Sequence, residues 1–330
     1  MKKTVTFGEI MLRLTTPENQ RFLQAESFLA VYGGSEANVA VSLCNYGQPA
    51  EHVTALPQNA IGQAALNSLR RYGVATNHIA RCGNRLGLYF VEKGAAYRKQ
   101  GIVYDRALSS IATAPANTFN WQEIFNDADW FHFSGITPAL STDCAAMCLA
   151  ACKAAHSLGL TVSCDLNYRE ALWPREKANR VMSELMPLVD VCFAYEDEPQ
   201  DMFGITPKKG ADPNEGYRQM ATELKKRFGF KLVAITNSRS YSAMQIDWAA
   251  MLYDGTDFYF SRRYEINAVD RIGGGDAFCG GFIYAAKNGY TPQQIIEFAV
   301  AAGSMKYTVI GDYNCVSAEE VAALAFGKEN

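Results

Sequence analysis

Residues 270–282 read DRIGGGDAFCGGF: three glycines in a row run into an aspartate, and the chain then turns apolar. Glycine serves where backbone must adopt conformations other residues avoid, or must come close to a ligand, and it carries an entropic cost. After Asp276, residues Phe278, Phe282, Ile283 and Ala286 return to one side at helical spacing, while YEINAVD (264–270) upstream alternates like a short strand. A strand, a glycine loop and a helix start make an anion site, because unpaired N–H groups and the helix dipole point the same way. A carboxylate beside such a site is repulsive unless it takes a proton from a nucleophile that attacks the anion. Phosphoryl transfer to a hydroxyl requires that arrangement. Taken alone, the stretch also reads as a glycine turn with Asp276 as an ordinary helix cap.

The rest of the chain narrows the choice. Its 330 residues are 48% hydrophobic and 20% charged, enough for one large α/β domain. Lys+Arg number 31 against Asp+Glu 34, a net charge of -3, and no basic stripe interleaves with aromatics, which argues against nucleic acid. Polar residues interrupt the opening MKKTVTFGEIMLRL, which reads as a first strand and not as a signal peptide. No run approaches the ~20 apolar residues of a membrane span. A soluble protein with no membrane partner is expected.

Nine cysteines include no C-x-x-C pair. Cys144, Cys148, Cys152 and His156 recur every fourth residue on one expected helix. The first and last would lie roughly 18 Å apart along its axis, too far for one ion. The face is read as small-residue packing, and the unpaired thiols point to a reducing cytoplasm.

Strand and helix signatures alternate. DWFHFSGI (129–136), LTVSCDLN (160–167), VDVCFAY (189–195) and KLVAITN (231–237) read as strands. Helices are expected around 142–158, around 175–187, within 214–229 and over 291–308, with Pro292 in the first turn of the last. The order predicts a parallel sheet wound on both faces, with its site at the carboxyl ends of the strands, where Asp165, Asn167 and the glycine loop fall. Residues roughly 12–34 and 86–112 lack helical period and read as strands of a small lid within a single domain, 1–330.

A second glycine motif, YGGSEANVAVSLCNYG (32–47), places Gly33 and Gly34 before a helix in which Asn38 is polar among small residues. It reads either as a tight turn or as backbone held against a substrate hydroxyl. With GGSEANVAVSL early and DRIGGGDAFCGGF late, the chain resembles the ribokinase-like (PfkB) carbohydrate kinases from end to end. Within that family LYFVEKG, YDRALSS, DLNYREALWP and VIGDYN resemble the branch that phosphorylates 2-keto-3-deoxygluconate.

The resemblance implies a ribokinase-like, doubly wound, mostly parallel sheet in three α/β/α layers with a small β-strand lid. It implies ATP as phosphate donor and Mg²⁺ on the nucleotide. Asp276 matches the base, and Gly273, Gly274 and Gly275 match the anion hole under the transferring phosphate. Gly34, Tyr89, Tyr104, Arg106, Asn167 and Arg169 match positions that hold the sugar acid. A carboxylate-bearing sugar suits an arginine fork. On the nucleotide side the resemblance implies Ser238, Gly273, Gly275, Gly311 and Asp312, although Asp312 also reads as a loop cap. Relatives carry Asn-x-x-Glu where this chain has AYEDEP, so Tyr195 replaces the Asn. Glu198 is left to act on Mg²⁺ through water, with Glu196 beside it.

Three alternatives remain at this stage: a kinase of fructose, ribose or a nucleoside; a nucleotide-binding protein without turnover; and a dinucleotide-dependent dehydrogenase. The last is disfavoured because no G-x-G-x-x-G follows the first strand. A P-loop is excluded by the absence of its motif. Pairing of two copies through the lid stays open.

Overall fold

The computed structural model describes residues 1–327. Six strands run parallel across its main sheet in the order Ala50–Val53, Lys3–Phe7, Ala128–Ser134, Thr161–Asp165, Val191–Tyr195 and Leu232–Ser240. The long strand Gln245–Tyr253 then returns antiparallel, and its far edge carries Phe258–Phe260 and Tyr264–Asn267.

Strands covered on both faces need apolar side chains pointing both ways. Alternation along Ala128–Ser134 supplies them. Phe131 and Phe133 enter the core beneath helices Thr142–Ser157, Arg175–Leu185 and Pro213–Phe228, while Trp130 enters the opposite core. That second core lies under helices Ser35–Asn45, Ala60–Arg70, Gly274–Lys287, Pro292–Lys306 and Ala318–Phe326. The result is a doubly wound α/β/α arrangement.

Cys144, Cys148 and Cys152 are buried together on the sheet-facing side of Thr142–Ser157, whereas His156 is exposed. The face is therefore packing, as its spacing suggested. All nine cysteines are free thiols. No helix among the described residues is long and apolar enough to cross a membrane.

A second, four-stranded sheet is built from the two segments without helical period. Its order is Leu29–Gly33, Met11–Thr15, Gly87–Glu92, Gly101–Asp105. The N-terminal residues expected to form one strand in fact form two, one in each sheet. The break falls at Gly8, where a β-carbon would run into the Glu36 carboxylate, so a larger residue here would have to displace that buried side chain. The inner face of the small sheet, Met11, Tyr89 and Val91, packs on Ile272 of the glycine loop. The small sheet thus lies directly over the motif that opened the sequence analysis.

Candidate active site

Each of the three glycines has its own cause. Gly273 precedes helix Gly274–Lys287 with φ 88°, a conformation that glycine adopts freely. A β-carbon on Gly274 would strike the ring of Tyr307, so this residue is small because of packing. Gly275 has open space around it and faces the cavity. No side chain caps the helix start, which leaves its first N–H groups available to an anion.

Asp276 is the third residue of this helix, and the cap position belongs to Gly273. The reading of Asp276 as an N-cap is therefore corrected: its carboxylate turns toward another helix. Ser35 Oγ donates to Oδ1 at 2.8 Å and Asn38 Nδ2 donates to Oδ2 at 2.6 Å. Ser35 and Asn38 sit one turn apart at the start of Ser35–Asn45, so both reach the same partner. The two helices come this close because Gly280 packs on Ser42, where a β-carbon would sit 2.7 Å from the serine's own. Burial pushes the Asp276 carboxyl up, against the two hydrogen bonds, toward the range useful to a general base.

A chain of amides and carboxylates continues from there. Asn167, in a left-handed conformation with φ 40°, donates through Nδ2 to Ser35 Oγ and to Asp165 Oδ2, both at 3.2 Å. Asp165 ends its strand. Burial, and then the neighbouring Glu198 and Asp276, hold its carboxyl well above the usual range. Glu198 opens the helix Glu198–Phe203, and its two oxygens accept backbone N–H bonds from Tyr168 at 2.9 Å and Tyr195 at 2.8 Å.

These residues line one cavity of about 530 Å³ between the carboxyl ends of the parallel strands and the small sheet. The cavity also takes in Gly34, Tyr89, Tyr104, Arg106, Arg169 and Ser238 from the sequence reading. Gly34 is pressed against the Glu9 carbonyl, where a β-carbon would collide. Tyr89 and Tyr104 are cross-strand neighbours whose rings stack with centroids 5.7 Å apart, and the Arg106 guanidinium lies 5.5 Å from the Tyr104 ring.

Two expected sugar contacts are already engaged within the protein. Arg106 directs Nε and Nη2 at Glu9 Oε2, with the Nε contact at 2.8 Å. Tyr89 is buried, and its hydroxyl donates to Asp312. Arg169 is exposed to the cavity mouth, with Nη1 on the Tyr168 carbonyl at 2.9 Å.

The nucleotide-side expectations divide similarly. Ser238 lies 3.2 Å from the Tyr195 hydroxyl on the cavity wall. Asp312 lines the cavity, but its carboxylate accepts from Arg13 Nη1 at 3.0 Å as well as from Tyr89. Gly311 is not among the lining residues; its N–H donates to Asp270 Oδ2 at 3.1 Å. Glu196 is held by the Tyr217 hydroxyl at 2.6 Å, away from the cavity lining.

Sequence reasoning passed over Ser35, Glu9, Arg13 and Asp270. Ser35 was detectable from its i, i+3 spacing with Asn38. The partnership of Arg13 with Asp270 and Asp312 spans more than 250 residues and leaves no local pattern.

Among the described residues no group of three or more acidic, histidine or cysteine side chains converges as a metal cage. Mg²⁺ does not need one, since it keeps several waters and uses one or two carboxylates together with substrate phosphates. Asp165 and Glu198, neighbouring carboxylates on the cavity wall whose charges oppose each other, fit that requirement.

The pattern that defines the pfkB family carbohydrate kinases matches residues 1–319. The crystal structure of 2-dehydro-3-deoxygluconokinase from Thermotoga maritima superposes with a TM-score of 0.96 at 46% identity, covering 98% of each chain. A 2-dehydro-3-deoxygalactonokinase from Haloferax volcanii is 33% identical over 98% of this chain and 96% of its own length. A 2-dehydro-3-deoxygluconokinase from Thermoproteus tenax is 27% identical over 94% and 90%.

Proposed function

The chain belongs to the pfkB family of carbohydrate kinases, and on that premise we propose that it transfers the γ-phosphate of ATP to the 6-hydroxyl of a 2-keto-3-deoxy sugar acid, 2-keto-3-deoxygluconate foremost. The observation that carries this reading is the meeting of Asp276, the open helix start at Gly275 and the two arginines Arg106 and Arg169 in one cavity. The relatives named for gluconate and galactonate acids support the substrate class.

Asp276 takes the proton of the 6-hydroxyl as that oxygen attacks the γ-phosphorus. The new O–P bond forms as the bond from phosphorus to the bridging oxygen of ADP breaks. The proton stays on the Asp276 carboxylate until the sugar phosphate and ADP leave. N–H groups at the start of helix Gly274–Lys287 receive the negative oxygens of the transferring group. Ser35 and Asn38 fix the carboxylate so that it presents one geometry to the hydroxyl. Mg²⁺, held through water by Asp165 and Glu198, would offset nucleotide charge. The small sheet excludes water, which would otherwise compete as acceptor.

Arg106 is already paired with Glu9, so Arg169 is the principal partner of the sugar carboxylate, and Arg106 contributes Nη1. The nine free thiols suit a cytoplasmic enzyme.

The experiment is an ADP-release assay with Mg²⁺-ATP that compares 2-keto-3-deoxygluconate, 2-keto-3-deoxygalactonate, fructose and ribose at matched concentrations. The keto-deoxy acids should be preferred, and Arg169→Met should raise KM for them most. A preference for fructose or ribose that Arg169→Met does not disturb would overturn the sugar-acid reading and leave Asp276 in place.

A further inference from the structure

Lys306 closes helix Pro292–Lys306 with no exposed surface. A wholly buried ammonium is costly unless something compensates it, and the reaction described above makes no use of this one. Its Nζ donates to the Val309 carbonyl at 3.1 Å. Its Cε lies 3.1 Å from the point where a β-carbon of Gly273 would stand. The side chain therefore runs beneath the turn that opens the anion-binding helix.

The charged groups facing it are Asp270 and Asp312, which favour its charge, Arg13, which opposes it, and Asp276 at longer reach. Arg13 spans the two carboxylates, with Nη2 on Asp270 Oδ2 at 2.7 Å and Nη1 on Asp312 Oδ1 at 3.0 Å. Asp270 in turn accepts the backbone N–H of Ile272 at 3.2 Å, inside the glycine loop, and that of Gly311. The cluster therefore holds two cations against two carboxylates, and backbone bonds tie it to the loop. Burial lowers the pKa of Lys306, while Asp270 and Asp312 draw it back.

We propose that the Lys306 ammonium is a positioning group for the phosphate-binding loop: it supports the Gly273 turn from below and sets a fixed positive charge behind the N–H groups that receive the transferring phosphate. A counter-ion for Asp312 alone would need no contact with the glycine loop. The packing of Lys306 under Gly273 points to the loop as its object. The inference rests on the phosphoryl-transfer reading above.

The test uses Lys306→Met, which keeps the side chain out to its Cε and removes the charged nitrogen. Turnover should fall about 10- to 100-fold, somewhat less than the loss of a donor in direct contact with the transition state. KM for the sugar acid should stay within about threefold of wild type if only the phosphate side is disturbed. Because Lys306→Met leaves two carboxylates facing one guanidinium, the charge-balanced double variant Lys306→Met/Asp312→Asn serves if the single one does not fold. Low turnover in the folded double variant supports the proposal. Recovery to wild-type kcat would reduce Lys306 to a partner of Asp312 and overturn it, as would a folded Lys306→Met with kcat within about threefold of wild type.

Calorimetry separates this inference from the substrate reading. Lys306→Met should weaken binding of the non-hydrolysable ATP analogue AMP-PNP more than binding of ADP, whichever sugar is the acceptor. Equal weakening would again overturn the proposal. If the wild-type protein phosphorylates no sugar acid and the AMP-PNP difference persists, the substrate reading has failed and the role of Lys306 stands.

Discussion

Two aspartates flank the glycine loop, and their surroundings differ. Asp276 meets a serine hydroxyl and a side-chain amide, both neutral, across the junction of two helices. Asp312 meets a guanidinium and a tyrosine hydroxyl brought by two strands of the small sheet. Neutral donors orient a carboxylate without cancelling its charge, and burial then raises its affinity for a proton. A guanidinium opposes that rise: burial lifts the Asp312 carboxyl as well, Arg13 draws it back down, and Arg13 is itself held protonated against its own burial by Asp312 and Asp270. Burial and the adjacent Asp312 raise the Tyr89 hydroxyl well above its usual range, so it stays a donor. One wall of the cavity is thus equipped to move a proton, and the other to clasp the small sheet to the main body.

The comparison breaks if the two residues can be exchanged in effect. Asp276→Asn keeps the shape and removes the base, so kcat should fall by about 10²- to 10⁴-fold. Sugar-acid binding, measured by calorimetry, should survive, and unfolding should be little changed. Asp312→Ala should show the opposite balance. It leaves Arg13 with one of its two carboxylates and should cost about 3–5 kcal/mol in urea unfolding, the range for breaking a buried ion pair from one side. If Asp312→Ala left stability untouched and abolished turnover, Asp312 would belong with the reacting groups.

The sequence disclosed one wall more fully than the other for a physical reason. Local patterns carry information where structure is local. The glycines beside Asp276, the i, i+3 pair Ser35 and Asn38, and the strand ends at Asp165 and Tyr195 all lie within single elements. Period and turn chemistry therefore exposed the central strands of the main sheet, the helices that follow them and the glycine turn ahead of Asp276, but not the strands Ala50–Val53 and Gln245–Tyr253 or the helices Ala60–Arg70 and Ala318–Phe326. The clasp is assembled from Arg13, Tyr89, Asp270 and Asp312, drawn from four segments, and no window of sequence contains it. Tyr89 and Arg106 line the cavity as the sequence reading expects, but the carboxylates that the hydroxyl of one and two nitrogens of the other face within the protein leave no local pattern. The break at Gly8 was missed for the same reason, since the obstacle there is Glu36, distant in sequence.

Glu36 sharpens the comparison at the smallest expected effect. Like Asp276 it has neutral donors: Ser134 N at 2.9 Å, Ser134 Oγ at 2.7 Å and Thr137 Oγ1 at 2.7 Å, all on Oε1. Unlike Asp276 it is closed off from the cavity, and burial pushes its carboxyl up to about 7 from 4.5. Between these two values the folded protein holds a proton that the unfolded chain has released. Unfolding then loses a proton, so stability declines as pH rises through that window, by about 3 kcal/mol in all. Above the folded value the decline is complete, and below the unfolded value it is absent. Glu36→Gln keeps an oxygen for the three donors and has nothing to titrate, so its urea midpoint should lack this component of the slope. A wild-type slope that Glu36→Gln leaves intact would mean that three neutral donors suffice to keep a buried carboxylate ionised. The raised proton affinity assigned to Asp276 would then need the nearby Asp312 charge, as well as burial, to explain it.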